Sequence, residues 1–190
     1  MFDVYQSSSL NAETRLKRGH GVRRRVTSMG KIPSNWQSFT RDNDNKTELF
    51  NFLADKIAQM CAPNVVVVTK EQDIDAVSTD SISLDGVAPC CHEEADTRIS
   101  VHARHAVEEG NKVVMVKASD TDVVVIAVSV LPALQVIGMQ QLWIAFGQGQ
   151  NLRWIPVHDL CVSLGLVKSR GILFFHAFTS CDTVSAFRGK

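Results

Sequence analysis

The stretch Lys112–Val125, KVVMVKASDTDVVV, decides how the rest of the chain is read. Val113 to Lys117 predicts a buried strand. Just beyond Ser119 stand two carboxylates one residue apart, Asp120 and Asp122. In open α/β folds, ligands gather at the carboxyl ends of the strands. Neighbouring carboxylates repel unless a cation or a proton lies between them. The pair therefore has two readings. One is a divalent-metal site; the other is a strand-to-helix turn in which Asp120 or Asp122 caps the next helix.

Reading outward, elements of both kinds surround this stretch. Downstream, Val123–Val130 is β-branched and favours a strand by propensity, with Pro132 ending it. Gln141–Phe146 (QLWIAF) predicts a strand, followed by a turn over Gly147–Asn151. Arg153–Pro156 reads as extended, His158–Leu166 as a short helix, and Gly171–Thr179 as a buried apolar run leading to Asp182. Upstream, His92–Gly110 has the spacing of a helix, with Ala95, Ile99, Ala103, Ala106 and Val107 on one face and Gly110 as its stop. Glu93, Glu94 and Asp96 fall in its first turn, where the helix dipole favours acids. Glu94 and Asp96 reach one site only if Glu94 lies at or before the cap, because positions i and i+2 do not share a helical face. His102 and His105 read as surface or packing residues. Earlier still, Lys46–Cys61 predicts an amphipathic helix stopped by Pro63. Asn64–Thr69 (NVVVVT) predicts a strand buried on both faces. Glu71–Pro89 reads as an irregular or hairpin connection, and Phe2–Val4 as a strand ending on Asp3.

The 190 residues are 45% hydrophobic and 21% charged with zero formal net charge, which predicts one globular domain with a real core. No global charge draws the chain to nucleic acid or to a membrane. Locally, RLKRGHGVRRR (Arg15–Arg25) holds six basic residues and no acid, so it is a solvated face, a nuclear-import patch or a phosphate-binding strip. No apolar run approaches the ~20 residues of a membrane span. Cys61, Cys90, Cys91, Cys161 and Cys181 form an odd, scattered set that predicts free thiols in a reducing, intracellular compartment. Cys90-Cys91-His92 lacks a second ligand pair at zinc spacing.

In order, the acids are Asp3, Glu94 and Asp96, Asp120 and Asp122, then Asp182. In this order the chain resembles the flap-endonuclease-like nucleases of the PIN-like superfamily. Phe2-Asp3 ahead of a basic segment is similar to that family's F-D-G followed by Lys and Arg on a helix. Glu94-Ala95-Asp96 is similar to its E-A-E, Asp120-Thr121-Asp122 to its D-x-D, and Ser180-Cys181-Asp182 to its G-x-D. The longer pattern HEEADTR…SDTDVVV…LWIAFG…FHAFTSCDTVSAFRGK resembles a transposon-associated branch of these nucleases.

The resemblance implies a three-layer α/β domain with a mostly parallel sheet, helices on both faces, and the strand ends bringing Asp3, Asp120 and Asp122 to one edge. It also implies a structure-specific DNA nuclease using two Mg²⁺ or Mn²⁺ ions, with no organic cofactor, no membrane and a nuclear or cytoplasmic location. Asp3, Asp96 and Asp120 would hold the first ion, with Glu94 nearby, and Asp120, Asp122 and Asp182 the second. Arg15 and Arg18 would orient the phosphate. It further implies a helix rather than a strand from Thr121 or Asp122 onward.

The family's first acid would lie before Met1 and its DNA-gripping hairpin beyond Lys190, so residues 1–190 are expected to be one nuclease domain truncated at both ends. The expected early lysine falls at Leu10 or Asn11, and the last motif's Gly is Ser180. The chain as given is therefore expected to bind DNA weakly and to cut it poorly or not at all. Two other functions fit parts of the pattern. One is a non-catalytic nucleic-acid-binding or interaction module on the same fold. The other is a haloacid-dehalogenase-like phosphatase with Asp120 as nucleophile, which leaves Glu94, Asp96 and Asp182 without a role.

Overall fold

The computed structural model describes residues 21–70, 75–90, 92 and 94–180. The chain is α/β and divides into two compact units, Met1–Ala95 and Asp96–Lys190. The readings at Phe2–Val4 and over the helix Asn11–Arg18 lie outside the described residues, as do those at Cys91, Glu93, Cys181 and Asp182.

In the first unit, helices α1 (Trp36–Thr40) and α2 (Asn43–Ala58) precede strands β1 (Val67–Lys70) and β2 (Asp75–Ser78). Asn35 caps α1 and Asp42 caps α2, each accepting from the backbone N–H three residues on, which satisfies donors that a helix start leaves open. The corner between the helices turns on Asn45, which is fully buried. Its Nδ2 donates to Val22 O at 2.8 Å and Phe39 O at 3.0 Å. Its Oδ1 accepts from Arg24 N at 2.8 Å and from Arg23 at 2.9 Å. Gly21 fits beside this corner because a Cβ there would collide with Ser38 O and Asp42 N. β1 and β2 form a separate two-stranded antiparallel ribbon. This corrects the placing of Asn64–Thr69 in a mostly parallel sheet. The acid- and serine-rich connection returns as a hairpin partner, and only Val68 and Thr69 of β1 are buried.

The second unit is built from α3 (Ala95–Glu108), β3 (Val113–Ala118), α4 (Thr121–Val136), β4 (Gln141–Phe146), β5 (Arg153–Pro156), α5 (Val157–Leu164) and α6 (Leu166–Ser180). β3 and β4 pair in parallel across the α4 crossover, and β4 and β5 pair antiparallel, in the order β3-β4-β5. The sheet is thus mixed rather than mostly parallel, because the turn after β4 is too short for a crossover and returns β5 as a hairpin. Gly147, at φ 86°, opens that turn, and a Cβ there would press on Asn151 O at 2.7 Å.

One core runs through this unit: Ala103 and Val107 of α3, Ala127, Val128, Leu131 and Leu134 of α4, Leu142 and Ile144 of β4, and Val157 and Cys161 of α5. β3 alternates, with Val114, Val116 and Ala118 turned to this core and Val113 and Met115 56% and 60% exposed. Among the described residues the predicted buried strand is therefore an edge strand covered on one face. The run Gly171–Thr179 is also not buried. It is helical, and Phe174, Phe175 and Phe178 are exposed. Among the described residues no single helix is long and apolar enough to cross a membrane.

The helix expected after Asp122 is present as α4, and Pro132 lies inside it rather than ending it. Proline has no N–H to give the carbonyl four residues back, which is that of Val128. The Cys161 thiol donates to Val128 O at 3.4 Å in its place. Burial pushes the Cys161 pKa up, which keeps the donor protonated.

Two stability outcomes follow. Asn45→Ala takes the side-chain partner from the Val22 carbonyl and the Arg24 N–H and is expected to cost about 2 kcal/mol in denaturant unfolding. Cys161→Val is expected to cost about 1–2 kcal/mol with Pro132 in place. In a Pro132→Ala background residue 132 regains its N–H, so the same change should cost about 1 kcal/mol less. Equal costs in both backgrounds would show that the thiol does not stand in for the missing donor.

Candidate metal and phosphate site

The Asp120–Asp122 turn is fixed from both sides. β3 ends at Ala118 and α4 begins at Thr121, so Asp120 is the N-cap, with extended backbone at φ −101°, ψ 136°. Its Oδ1 accepts from Asp122 N at 2.9 Å. Capping is thus realised, and it uses one oxygen of an exposed carboxylate. Asp122 stands in the first turn, where the helix dipole offsets its charge. Its Oδ1 lies 2.9 Å from His176 Nε2 on α6. Lys117, three residues before Asp120, donates to Gly147 O at 3.2 Å, so it binds the neighbouring loop.

Asp96 stands in the first turn of α3, as expected, and borders a small apolar void in the core with Ile99, Val116, Val123 and Leu142. Val116 belongs to the strand that leads to Asp120, and Val123 follows Asp122. Glu94 directly precedes the helix, so it meets the condition of lying at or before the cap. Asp3, Asp182, Arg15 and Arg18 lie outside the described residues. Arg23 forms an ion pair with Glu48 at 2.7 Å, while Arg24 and Arg25 are exposed.

Among the described residues no three His, Cys, Asp or Glu side chains converge as a metal would require. The donors at Asp120 and Asp122 nevertheless have the right chemistry for a hard cation. Each carboxylate has one oxygen engaged, and the other makes no hydrogen bond among the described residues.

Two features of this unit were not singled out by sequence. His176 was passed over inside an apolar run, although a polar ring in such a run must find a partner. Arg98 lies at the first position of a stripe with His102 and His105 on α3 and is 1% exposed, and among the described residues its guanidinium nitrogens have no hydrogen-bond partner. His105 is buried, as a packing residue would be. Desolvation lowers the His102 pKa from 6.5 to about 4, and nearby Arg98 adds to the shift. Cys61, Cys90 and Cys161 are free thiols, as expected, with Cys61 exposed.

Compared with protein-family models, curated proteins and solved structures, the chain finds no match.

The His102 shift has a pH consequence. The folded protein holds the ring neutral, whereas the unfolded chain takes up a proton below about pH 6.5. Stability is therefore full above 6.5 and falls as pH drops towards about 4, by at most about 1.4 kcal/mol per pH unit. His102→Gln should flatten that part of the stability–pH curve measured by denaturant unfolding.

Proposed function

We propose that the chain is a metal-dependent phosphodiesterase, a DNA nuclease of two-metal type on a three-layer PIN-like domain. The observation that carries this reading is the position of the Asp120-x-Asp122 pair. It stands where a parallel strand ends and its crossover helix begins, which is the ligand edge of α/β sheets. Asp96, in the first turn of α3, is the further carboxylate of this unit that the reading uses.

When bound, two divalent ions activate a water and stabilise the leaving oxygen of an in-line displacement. The chain's own part is to present carboxylate oxygens in a fixed geometry. The Asp120 cap holds the turn rigid while leaving its Oδ2 available. Glu94, Asp96 and Asp122 complete the described donors in this reading, and Asp3 and Asp182 are the further ones that the sequence pattern supplies. Arg15 and Arg18 take the phosphate, and exposed Arg24 and Arg25 add positive charge along the same segment. The partner proposed is DNA bearing a single-stranded or branched portion, and the location is intracellular, with the nucleus favoured by the basic segment. The free thiols suit a reducing compartment.

A second reading, a nucleic-acid-binding module without catalysis, is favoured by one observation. The described residues do not bring three ligands together.

The test uses Mg²⁺ or Mn²⁺ with the 190-residue chain. A hundredfold excess of ion over its Kd should stabilise the fold by about 2.7 kcal/mol. Asp120→Asn should abolish that gain, because it removes the charge shared by both ions. A flap-bearing duplex should be cut slowly in the ion, and not at all by Asp120→Asn. DNA binding without metal stabilisation or turnover would support the binding module instead. Stabilisation that survives Asp120→Asn would move the cation elsewhere.

A further inference from the structure

We infer that His176 is a positioning residue for Asp122, a role that rests on the metal-dependent reading above. A carboxylate only accepts hydrogen bonds, so His176 Nε2 carries the proton and donates to Asp122 Oδ1 across 2.9 Å. The contact joins residues 54 apart in sequence, one in the first turn of α4 and one near the end of α6. Both side chains are partly shielded, at 26% and 41% exposed, so water competes less well for the bond.

The geometry assigns the two Asp122 oxygens different work. Oδ1 is held by the imidazole, which fixes the side-chain rotamer. Oδ2 is then presented in one direction instead of sampling several. Asp120 is restrained in the same manner, with Oδ1 bound by the Asp122 N–H. Two carboxylates one residue apart on a helix start would otherwise turn away from each other to relieve their repulsion. Held as they are, each keeps one oxygen unengaged among the described residues. The neutral ring suffices, so the role needs no change of protonation. Outer-shell donors of this kind typically set metal affinity within a factor of about 10–100.

The experiment measures Mn²⁺ binding to the 190-residue chain by calorimetry, with melting in EDTA as the control for folding. His176→Phe keeps a ring but removes the donor, and should weaken Mn²⁺ binding at least about tenfold. His176→Gln sets an amide nitrogen near the place of Nε2 and should bind within about threefold of the parent. A merely structural role would instead lower the EDTA melting temperature and leave the Mn²⁺ affinity of the folded fraction unchanged. Should His176→Phe not fold, the parent protein carries the test. Mg²⁺ should move the His176 ring ¹⁵N resonances and saturate at the concentration that saturates binding. Unmoved ring resonances, or an unchanged affinity in folded His176→Phe, would overturn the role while leaving an Asp120-dependent metal site standing. Mn²⁺ binding that is absent, or indifferent to Asp120→Asn, would remove the metal reading and this role with it.

Discussion

The helix after Asp120 is held against the local preference of its own residues, and the second unit depends on it. Thr121–Val136 contains six valines, an isoleucine and a proline, a composition that favours strand and interrupts helix. Burial decides the matter. Val123, Ala127, Val128, Leu131 and Leu134 recur at helical spacing and are all at most 5% exposed. As a strand, the same residues would split between two faces and lose half of that burial. The cap at Asp120 and the thiol at Val128 O each supply a partner at a point where the helix backbone lacks one.

This explains which parts of the fold were legible in the sequence. QLWIAF and the glycine turn after it are local signals and appear at their expected positions. The helix beginning near His92 was equally plain, shifted to Ala95 by its true start. The ribbon of β1 and β2 was not legible as a separate sheet. NVVVVT carries no mark of which partner it will take, and the partner strand Asp75–Ser78 is polar at both ends. The exposure of β3 and of the α6 phenylalanines was also hidden. Apolar composition gives the tendency to be covered, whereas the number of neighbouring elements sets how many faces are covered.

The candidate site was legible in its acids and not in their company. Asp-x-Asp after a hydrophobic strand is visible to inspection, and Glu94 and Asp96 stand at a helix start as their spacing requires. His176 was not visible, because its contact spans 54 positions and its neighbours Phe174, Phe175 and Phe178 make the segment read as core. Arg98 was hidden for the opposite reason. A lone arginine at the start of an amphipathic helix reads as solvated, and nothing local foretells that it is 1% exposed.

The two readings of Asp120 are therefore not rivals in physical terms. Capping requires a side-chain oxygen that accepts from Asp122 N, and either Asp or Asn supplies it. Cation binding requires negative charge on the second oxygen, which only Asp supplies. Under the proposed function, position 120 would thus carry a structural demand that tolerates the amide and a chemical one that does not. The same division holds at Asp122, where Oδ1 is engaged by His176 and Oδ2 is left over. A second carboxylate beside the first repels it as a like charge, although the first turn of a helix favours acids. The helix dipole and the imidazole offset that cost in part. Under the proposed function, a cation at this edge of the sheet would offset the remainder.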